Sequence, residues 1–380
     1  MSMRDFDFML TPDQIDLRNM VSDFAQKEVK PVCREAEKDA IVPEKLVEMS
    51  YEMGLHLVTV PEEYGGLGLD NLTYAVIREE LARGDAGFAS RVFGFGFEPL
   101  NLAGTEEQKK WAADILCQGG IMAFGLTESS GSDAGGMKTT AKKVGNDYVI
   151  NGGKVFITNG DCADLITIFA VTDKEKGTKG GITAFLLPKD TPGFTVGEHE
   201  DKMGIRCVHT NSLYFDDVVL NEKYRLGAEG QGYKIAMQIL DNSRPCTAAS
   251  AIGIAQAAID EAIPYAKERT VFGKPIWKHE AIGFMLADME MRTSAARQMV
   301  WAACKSADAG IVNKKLITSA KCLAGDNAMF VTENAVQVLG GNGYSREYPV
   351  EKLMRDAKIY QIFEGTNQIQ RLILSGQLCK

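Results

Sequence analysis

Near the C-terminus, IYQIFEGTNQIQR (359–371) sets one carboxylate, Glu364, among isoleucine and aromatic side chains, with a glycine directly behind it. An acid in that setting has two uses. It can be a partly exposed group at a helix start, where the amide dipoles favour negative charge and Thr366 or Asn367 supplies the cap. It can also be a general base: Ile362 and Phe363 would desolvate it, raise its pKa and strengthen it as a base near neutrality. Local sequence leaves both open. Other stretches carry similar double meanings. GLTESSGSDAGG (125–136) offers backbone N–H groups and hydroxyls to a polar ligand, or is a plain linker. KVFITNG (154–160) puts Phe156 and Thr158 on one face of a strand, where an aromatic beside a hydroxyl can serve a flat heterocycle or simply pack. LDNSRP (240–245) spaces Asp241 and Arg244 for a helical ion pair, worth roughly 0.2–0.5 kcal/mol. Arg269, ahead of TVFGKP, is either a phosphate ligand or a solvated cation.

The elements that must position these residues come in three blocks. Residues 1–121 read as helices: Thr11 is an N-cap, Pro12 fits the first helical position, and Ile15, Met20, Phe24 and Val29 follow at roughly helical intervals. Residues 122–229 read as strands, because DYVINGGKVFITNG, ADLITIFAVT, GGITAFLLPKD and NSLYFDDVVL are short β-branched and aromatic runs separated by turn residues. Residues 230–380 return to long helices, with Pro245 and Pro264 as potential kinks in the first. The expected fold is mainly α with a central β-domain, a barrel or sandwich, between two helical domains. Helix–sheet–helix order argues against a Rossmann fold, and neither GxGxxG nor a Walker loop is present.

Composition narrows the function. With 42 Lys and Arg against 51 Asp and Glu, the net charge of −9 disfavours nucleic acid and anionic membrane as partners. Eight cysteines form no CxxC pair, which fits reduced thiols in a cytosolic enzyme. The four histidines lack ligand spacing, so no metal site is expected. MSMRDFDFMLTPDQ is neither a signal nor a transit peptide, and no apolar run is long enough to span a bilayer.

Together the stretches resemble the acyl-CoA dehydrogenase family of short- and medium-chain type, as in bacterial butyryl-CoA dehydrogenases and related enoyl-CoA reductases. The likeness covers almost the whole chain and is densest at AVQVLGGNGYSREYPVEKLMRDAKIYQIFEGTNQIQRLI (335–373); VPEEYGGLG, INGGKVFITNG, RPCTAASAIGIAQAAIDEA and ERTVFGKP match in order. The resemblance implies a β-barrel between a helical domain and a four-helix bundle. It implies FAD held by Thr127, Ser132, Phe156 and Thr158, with Arg269 and Phe272 reaching the cofactor of a neighbouring subunit. Gln337, Gly340 and Gly341 would line the diphosphate and adenosine side, and Thr366 and Gln368 complete the set. Asp241 and Arg244, with Ser132, would hold substrate. Glu364 would take the α-proton while the β-hydrogen leaves as hydride to flavin N5.

The implied partners are an acyl-CoA or enoyl-CoA, electron-transferring flavoprotein, and further copies of the chain in a homotetramer built from dimers. The implied location is a bacterial cytoplasm. Two departures stand out: TESSGSD is one residue short of the family's loop, and Glu280 stands where glutamine is common. In GFASRVFGFGFEPL (87–100), Arg91 and Phe93, with Phe88, Phe95 and Phe97, fall where the family lines the acyl chain. Short aliphatic acyl groups are the default there, with aryl-acrylyl or alicyclic groups as the alternative. An acyl-CoA oxidase, or a nucleic-acid-binding relative of the fold, is the competing class.

Overall fold

The computed structural model describes residues 6–94 and 96–379. Helices α1 (Pro12–Phe24), α2 (Lys30–Ala36), α3 (Glu44–Glu52), α4 (Asn71–Gly84), α5 (Ala86–Val92), α6 (Glu98–Ala103) and α7 (Glu106–Cys117) form the first block. Thr11 caps α1 with Pro12 in the first turn, as the sequence predicts, and Gln14 adds the reciprocal bond of a capping box, so two orphan N–H groups are satisfied.

The central sheet contains β1 (Met122–Gly125), β2 (Thr140–Val144), β3 (Asp147–Thr158), β4 (Leu165–Val171), β5 (Ile182–Pro188), β6 (Phe194–His199), β7 (Thr210–Asn221) and β8 (Arg225–Leu226). Its order is β6-β7-β3-β2-β4-β5-β8, with β1 parallel to β4. Inward side chains from several strands, among them Tyr148, Ile150, Phe185, Leu213 and Leu220, meet in one apolar core. The four long apolar runs become β3, β4, β5 and β7. The sequence reading left β1, β2 and β6 unassigned. The first is only MAFG, and the other two show almost no buried side chain.

The last block holds α8 (Gly232–Glu268), a small hairpin of β9 (Thr270–Val271) and β10 (Lys274–Pro275), then α9 (Glu280–Asp308), α10 (Lys314–Leu339), α11 (Val350–Ala357) and α12 (Asn367–Leu378). α8 is continuous through Pro245 and Pro264. Its buried face is largely alanine, which lets neighbouring helices approach. The closest approach is at Gly253, where a Cβ would lie 2.2 Å from the carbonyl oxygen of Glu79 on α4. Only glycine permits that separation, and it presses α4 and α8 together.

One buried cluster ties the three blocks. Lys352 of α11 donates to Asp85, 2.7 Å away at the start of α5, and to Asp356. Asp356 also accepts the backbone N–H of Ile205 from the loop after β6, at 2.5 Å. Among the described residues, no helix is long and apolar enough to cross a membrane.

Candidate active site

Glu364 lies in the turn that leads into α12, with φ at +59°. That left-handed conformation costs a residue with a Cβ about 1–2 kcal/mol, so its surroundings must hold it there. They do so from three helices. On α8, Ser243 Oγ donates to Glu364 Oε2 at 3.0 Å and Thr247 Oγ1 to Oε1 at 3.3 Å; the i, i+4 spacing puts both hydroxyls on one face. Arg244 Nε donates to the Glu364 carbonyl at 3.0 Å, and Gln370 of α12 donates to the same oxygen at 3.2 Å. Lys321 of α10, only 2% exposed, donates to the Gly365 carbonyl at 2.8 Å and to Asn367 Oδ1 at 3.0 Å. The backbone N–H of Glu364 has no acceptor among the described residues.

The electrostatics follow from that enclosure. Glu364 keeps a half-buried surface yet is surrounded by protein, and desolvation raises its pKa. The Arg244 guanidinium, the Ser243 hydrogen bond and the charges of Arg78 and Lys321 pull the other way without cancelling it. Burial pushes the Lys321 ammonium down to about 8. The result is a carboxyl of raised pKa, oriented by two hydroxyls and a clamped backbone.

A second group of residues gathers on β3. Strict alternation with buried Tyr148, Ile150 and Lys154 would point Phe156 inward, but a register shift against β7 between Lys154 and Ile157 reverses the parity. Phe156, at φ +59°, therefore stands 64% exposed with Thr158 on the same side, while Ile157 is buried. Thr127 lies alongside, its carbonyl accepting the N–H of Val155 at 2.9 Å. The shortened loop closes by a turn in which Gly131 N–H donates to the Glu128 carbonyl at 2.9 Å, and Ser132 follows it, exposed. Glu128 is the loop's anchor: it accepts from Lys154 Nζ at 2.6 Å and from the N–H groups of Lys138 and Thr139. Burial alone would raise the Glu128 pKa, but Lys154 and those hydrogen bonds hold it below the usual value.

A third group lines an open groove of about 530 Å³ that contains Arg269, Phe272, His279, Gly340 and Gly341. Phe272 and Gly273 both have positive φ and are the two central residues of the β9–β10 hairpin, the geometry of a type I′ turn. Phe272 is 91% exposed, and Arg269 has no acidic partner among the described residues. Gly340 ends α10, and a Cβ on it or on Gly341 would meet open space. Gln337 is exposed on the last turn of α10. An uncovered aromatic, an unpaired arginine and bare backbone suit an aromatic, anionic dinucleotide such as FAD, as do Phe156 and Thr158 for its ring.

The remaining expected residues divide. Thr366 caps α12, its hydroxyl accepting from Ile369 N–H, and Gln368 is exposed in the first turn. Arg244 pairs with Asp241 at 3.1 Å, as the i, i+3 spacing predicts, and Asp241 also meets Lys314 at 3.2 Å. Arg91 is not brought to Glu364. Its guanidinium faces a separate cavity of about 30 Å³ with His56 and Asn159, 3.8 Å from Glu44. Phe93 is buried edge-on against Tyr74, Phe88 and Phe97 are core, and Phe95 lies outside the described residues. Among the described residues, the one group of metal-capable side chains is Cys33, Asp85 and Cys207. Asp85 already serves the N–H of Phe88 and Lys352 there. Sequence reasoning missed Lys321, Thr247, Gln370 and the Glu128–Lys154 pair. Lys321 alone left a trace, standing in helical register with apolar Ile317, Ala324 and Ala328.

Helical, sheet and helical blocks around this carboxyl make a chain built in three parts. Family models for the N-terminal, middle and C-terminal domains of acyl-CoA dehydrogenase match residues 11–119, 123–218 and 230–378. The chain belongs to the acyl-CoA dehydrogenase family, whose members are FAD-dependent. It is 45% identical to the short-chain-specific acyl-CoA dehydrogenase of Megasphaera elsdenii, over 98% of this chain and 100% of that one. The structure of butyryl-CoA dehydrogenase from Megasphaera elsdenii superposes with a TM-score of 0.94 at 43% identity, covering 100% of both chains. A chain from the structure of the electron transferring flavoprotein of Acidaminococcus fermentans, described in work on flavin-based electron bifurcation, gives 0.95 at 44% identity. It covers 98% of this chain and 100% of that one.

Proposed function

We propose that Glu364 is the α-proton base in the dehydrogenation of an acyl-CoA thioester, or the proton donor in the reverse reduction of an enoyl-CoA. The observation that carries this reading is the strained, half-buried carboxylate with a raised pKa, aimed by Ser243 and Thr247. A thioester α-proton is a weak acid, so its removal needs a base of matched pKa and a donor for the charge developing on the carbonyl oxygen. The Glu364 N–H, which has no acceptor among the described residues, suits that donor role. Arg244, Gln370 and Lys321 fix the turn, so the carboxylate and the N–H keep their relative placement. FAD, when bound, supplies the acceptor for the β-hydride.

Thr127, Ser132, Phe156 and Thr158 would hold the isoalloxazine side of the chain's own FAD. Arg269, Phe272, Gln337, Gly340 and Gly341 would hold the dinucleotide side of a partner's, which requires at least a dimer and accords with a homotetramer. Thr366 and Gln368 would approach the cofactor beside Glu364, and Asp241 and Arg244 the bound thioester. Division into domains 1–121, 122–229 and 230–380 follows the element order. Electron exchange with electron-transferring flavoprotein, in a bacterial cytoplasm, fits the relatives found. Anaerobic titration of the purified holoprotein with acyl-CoA thioesters tests the reading. Bleaching of the flavin absorbance supports it, and an unchanged spectrum with every thioester refutes it.

A further inference from the structure

A buried polar cluster lies beyond Glu364 along α8, and the proton-transfer chemistry does not use it. Ser243, Thr247 and Ser250 fall at i, i+4 and i+7, one stripe of that helix. The first two touch the Glu364 carboxylate, and Ser250 accepts from Arg78 Nε of α4 at 3.0 Å. The helical rise places Ser250 about 4.5 Å beyond Thr247. Arg78 is 7% exposed and sits close enough to Glu364 for each to feel the other's charge.

Arg78 has an unusual set of partners. Its Nη1 donates to the Tyr74 hydroxyl at 2.9 Å, so both of its hydrogen bonds go to neutral oxygens. Among the described residues it has no ion-pair partner, and its Nη2 has no acceptor. Beside it the Tyr360 hydroxyl, in a residue only 1% exposed, has no hydrogen-bond partner either. It lies near Ser250 and Ser90 without reaching bonding geometry with them. A buried hydroxyl left unmatched beside an arginine that bonds only neutral oxygens costs stability unless something fills the spot. The Gly253 contact fixes α4, and with it Arg78, on α8 at this level, and Gly325 of α10 packs on Tyr360, where a Cβ would lie 2.5 Å from the Tyr360 carbonyl oxygen.

We infer that Arg78 and Tyr360 recognise an acyl group bearing a neutral oxygen, a hydroxyl, phenol or carbonyl, a short chain or one ring beyond the reacting carbons. This rests on Glu364 marking where the α-carbon lies. A neutral oxygen is favoured over a carboxylate because the Glu364 carboxyl already lies within reach of the Arg78 charge and the Glu98 carboxyl stands nearby. A third acid there would be repelled. Tyr74, which Arg78 bonds, is itself held edge-on against Phe93 at 5.4 Å.

The test compares plain, hydroxylated and carboxylated thioesters of matched skeleton on the holoenzyme. Suitable sets are 3-phenylpropionyl-CoA with its para-hydroxy and para-carboxy forms, and hexanoyl-CoA with its ω-hydroxy and ω-carboxy forms. Single-turnover bleaching and equilibrium binding are both read. In at least one set the hydroxylated ester is expected to exceed the plain one by about tenfold or more. A site built to bond a substrate hydroxyl can reach 10⁴–10⁵-fold. Arg78→Met and Tyr360→Phe are each expected to bring that ratio toward one. Tyr360→Phe removes a hydroxyl that bonds nothing in the free protein, so folding does not limit that arm. A ratio near one in both sets, a preference for the carboxylated esters, or a ratio that survives both substitutions would overturn the inference. Binding ratios measured in Glu364→Gln report the selectivity separately. If thioesters bind selectively but none bleaches the flavin, the base assignment fails and the oxygen site stands.

Discussion

Replacing Glu364 with glutamine removes the charge and leaves size, backbone N–H and the φ of +59° in place. Ser243 and Thr247 can still bond an amide, one donating and the other accepting, so the turn should persist. Loss of a general base lowers the rate of flavin reduction by about 10²–10⁴-fold. The same change should stabilise the fold at neutral pH, and the sign comes from the raised pKa of Glu364. A carboxyl whose folded pKa lies above its unfolded value favours folding at low pH, where it is protonated in both states. That contribution is lost as pH rises through the folded pKa, because burial then opposes ionisation. Glutamine never ionises. The variant should therefore gain stability over wild type at pH 7, and the gain should shrink as pH falls to the ordinary carboxylate range. The assays are single-turnover bleaching at substrate saturation and denaturant midpoints from pH 4 to 8, with flavin retention followed by absorbance. A near-normal rate would refute the base assignment. A stability difference that does not vary with pH would refute the electrostatic account while leaving catalysis untouched.

Lys321→Met should move the acidic limb of the pH–rate profile to higher pH, because a nearby cation favours the ionised carboxylate and its removal does the opposite. A uniform drop in rate with the limb unmoved would reduce Lys321 to a backbone prop. Glu128→Gln leaves Lys154 buried without its acid, which should cost about 3–5 kcal/mol in denaturant unfolding and loosen flavin binding. Adding Lys154→Met should recover part of that loss, and no recovery would argue against the pair. Arg269→Ala should lose flavin and lower the assembly size together by light scattering. A variant that keeps full flavin and full size would show that the groove serves no partner.

The sequence reveals those parts of the fold whose signal is local. Thr11 and Pro12 announce a helix start because capping is settled within a few residues. β3, β4, β5 and β7 announce themselves because buried strands need β-branched runs. β2 stayed hidden because only Ala141 of its side chains is buried, so no alternation is written into it. Phe156 shows the limit of alternation: its outward aim depends on a bulge that pairing with β7 creates. Glu364 was legible from its apolar flanks and from the family resemblance. Thr247, which bonds it, and Lys321, which bonds the next residue, Gly365, were not, since they come from 117 and 44 residues away. Arg91 shows the converse, a charged residue in the expected segment whose side chain the packing of α5 turns toward Glu44 and His56.

The Lys352 cluster bears on how the chain can be divided. Its ammonium belongs to the last block, one of its carboxylates to the first, and the amide that completes it to the loop after β6. A fragment cut at either boundary would carry a buried charge or an unmet donor with its counterpart left behind. Such a fragment has no inexpensive way to close its own core, so the three blocks are poor candidates for separate expression or for exchange between relatives. Melting should be cooperative across the whole chain, and a nick in a surface loop should leave the pieces associated. For this protein the working unit of engineering is the full chain.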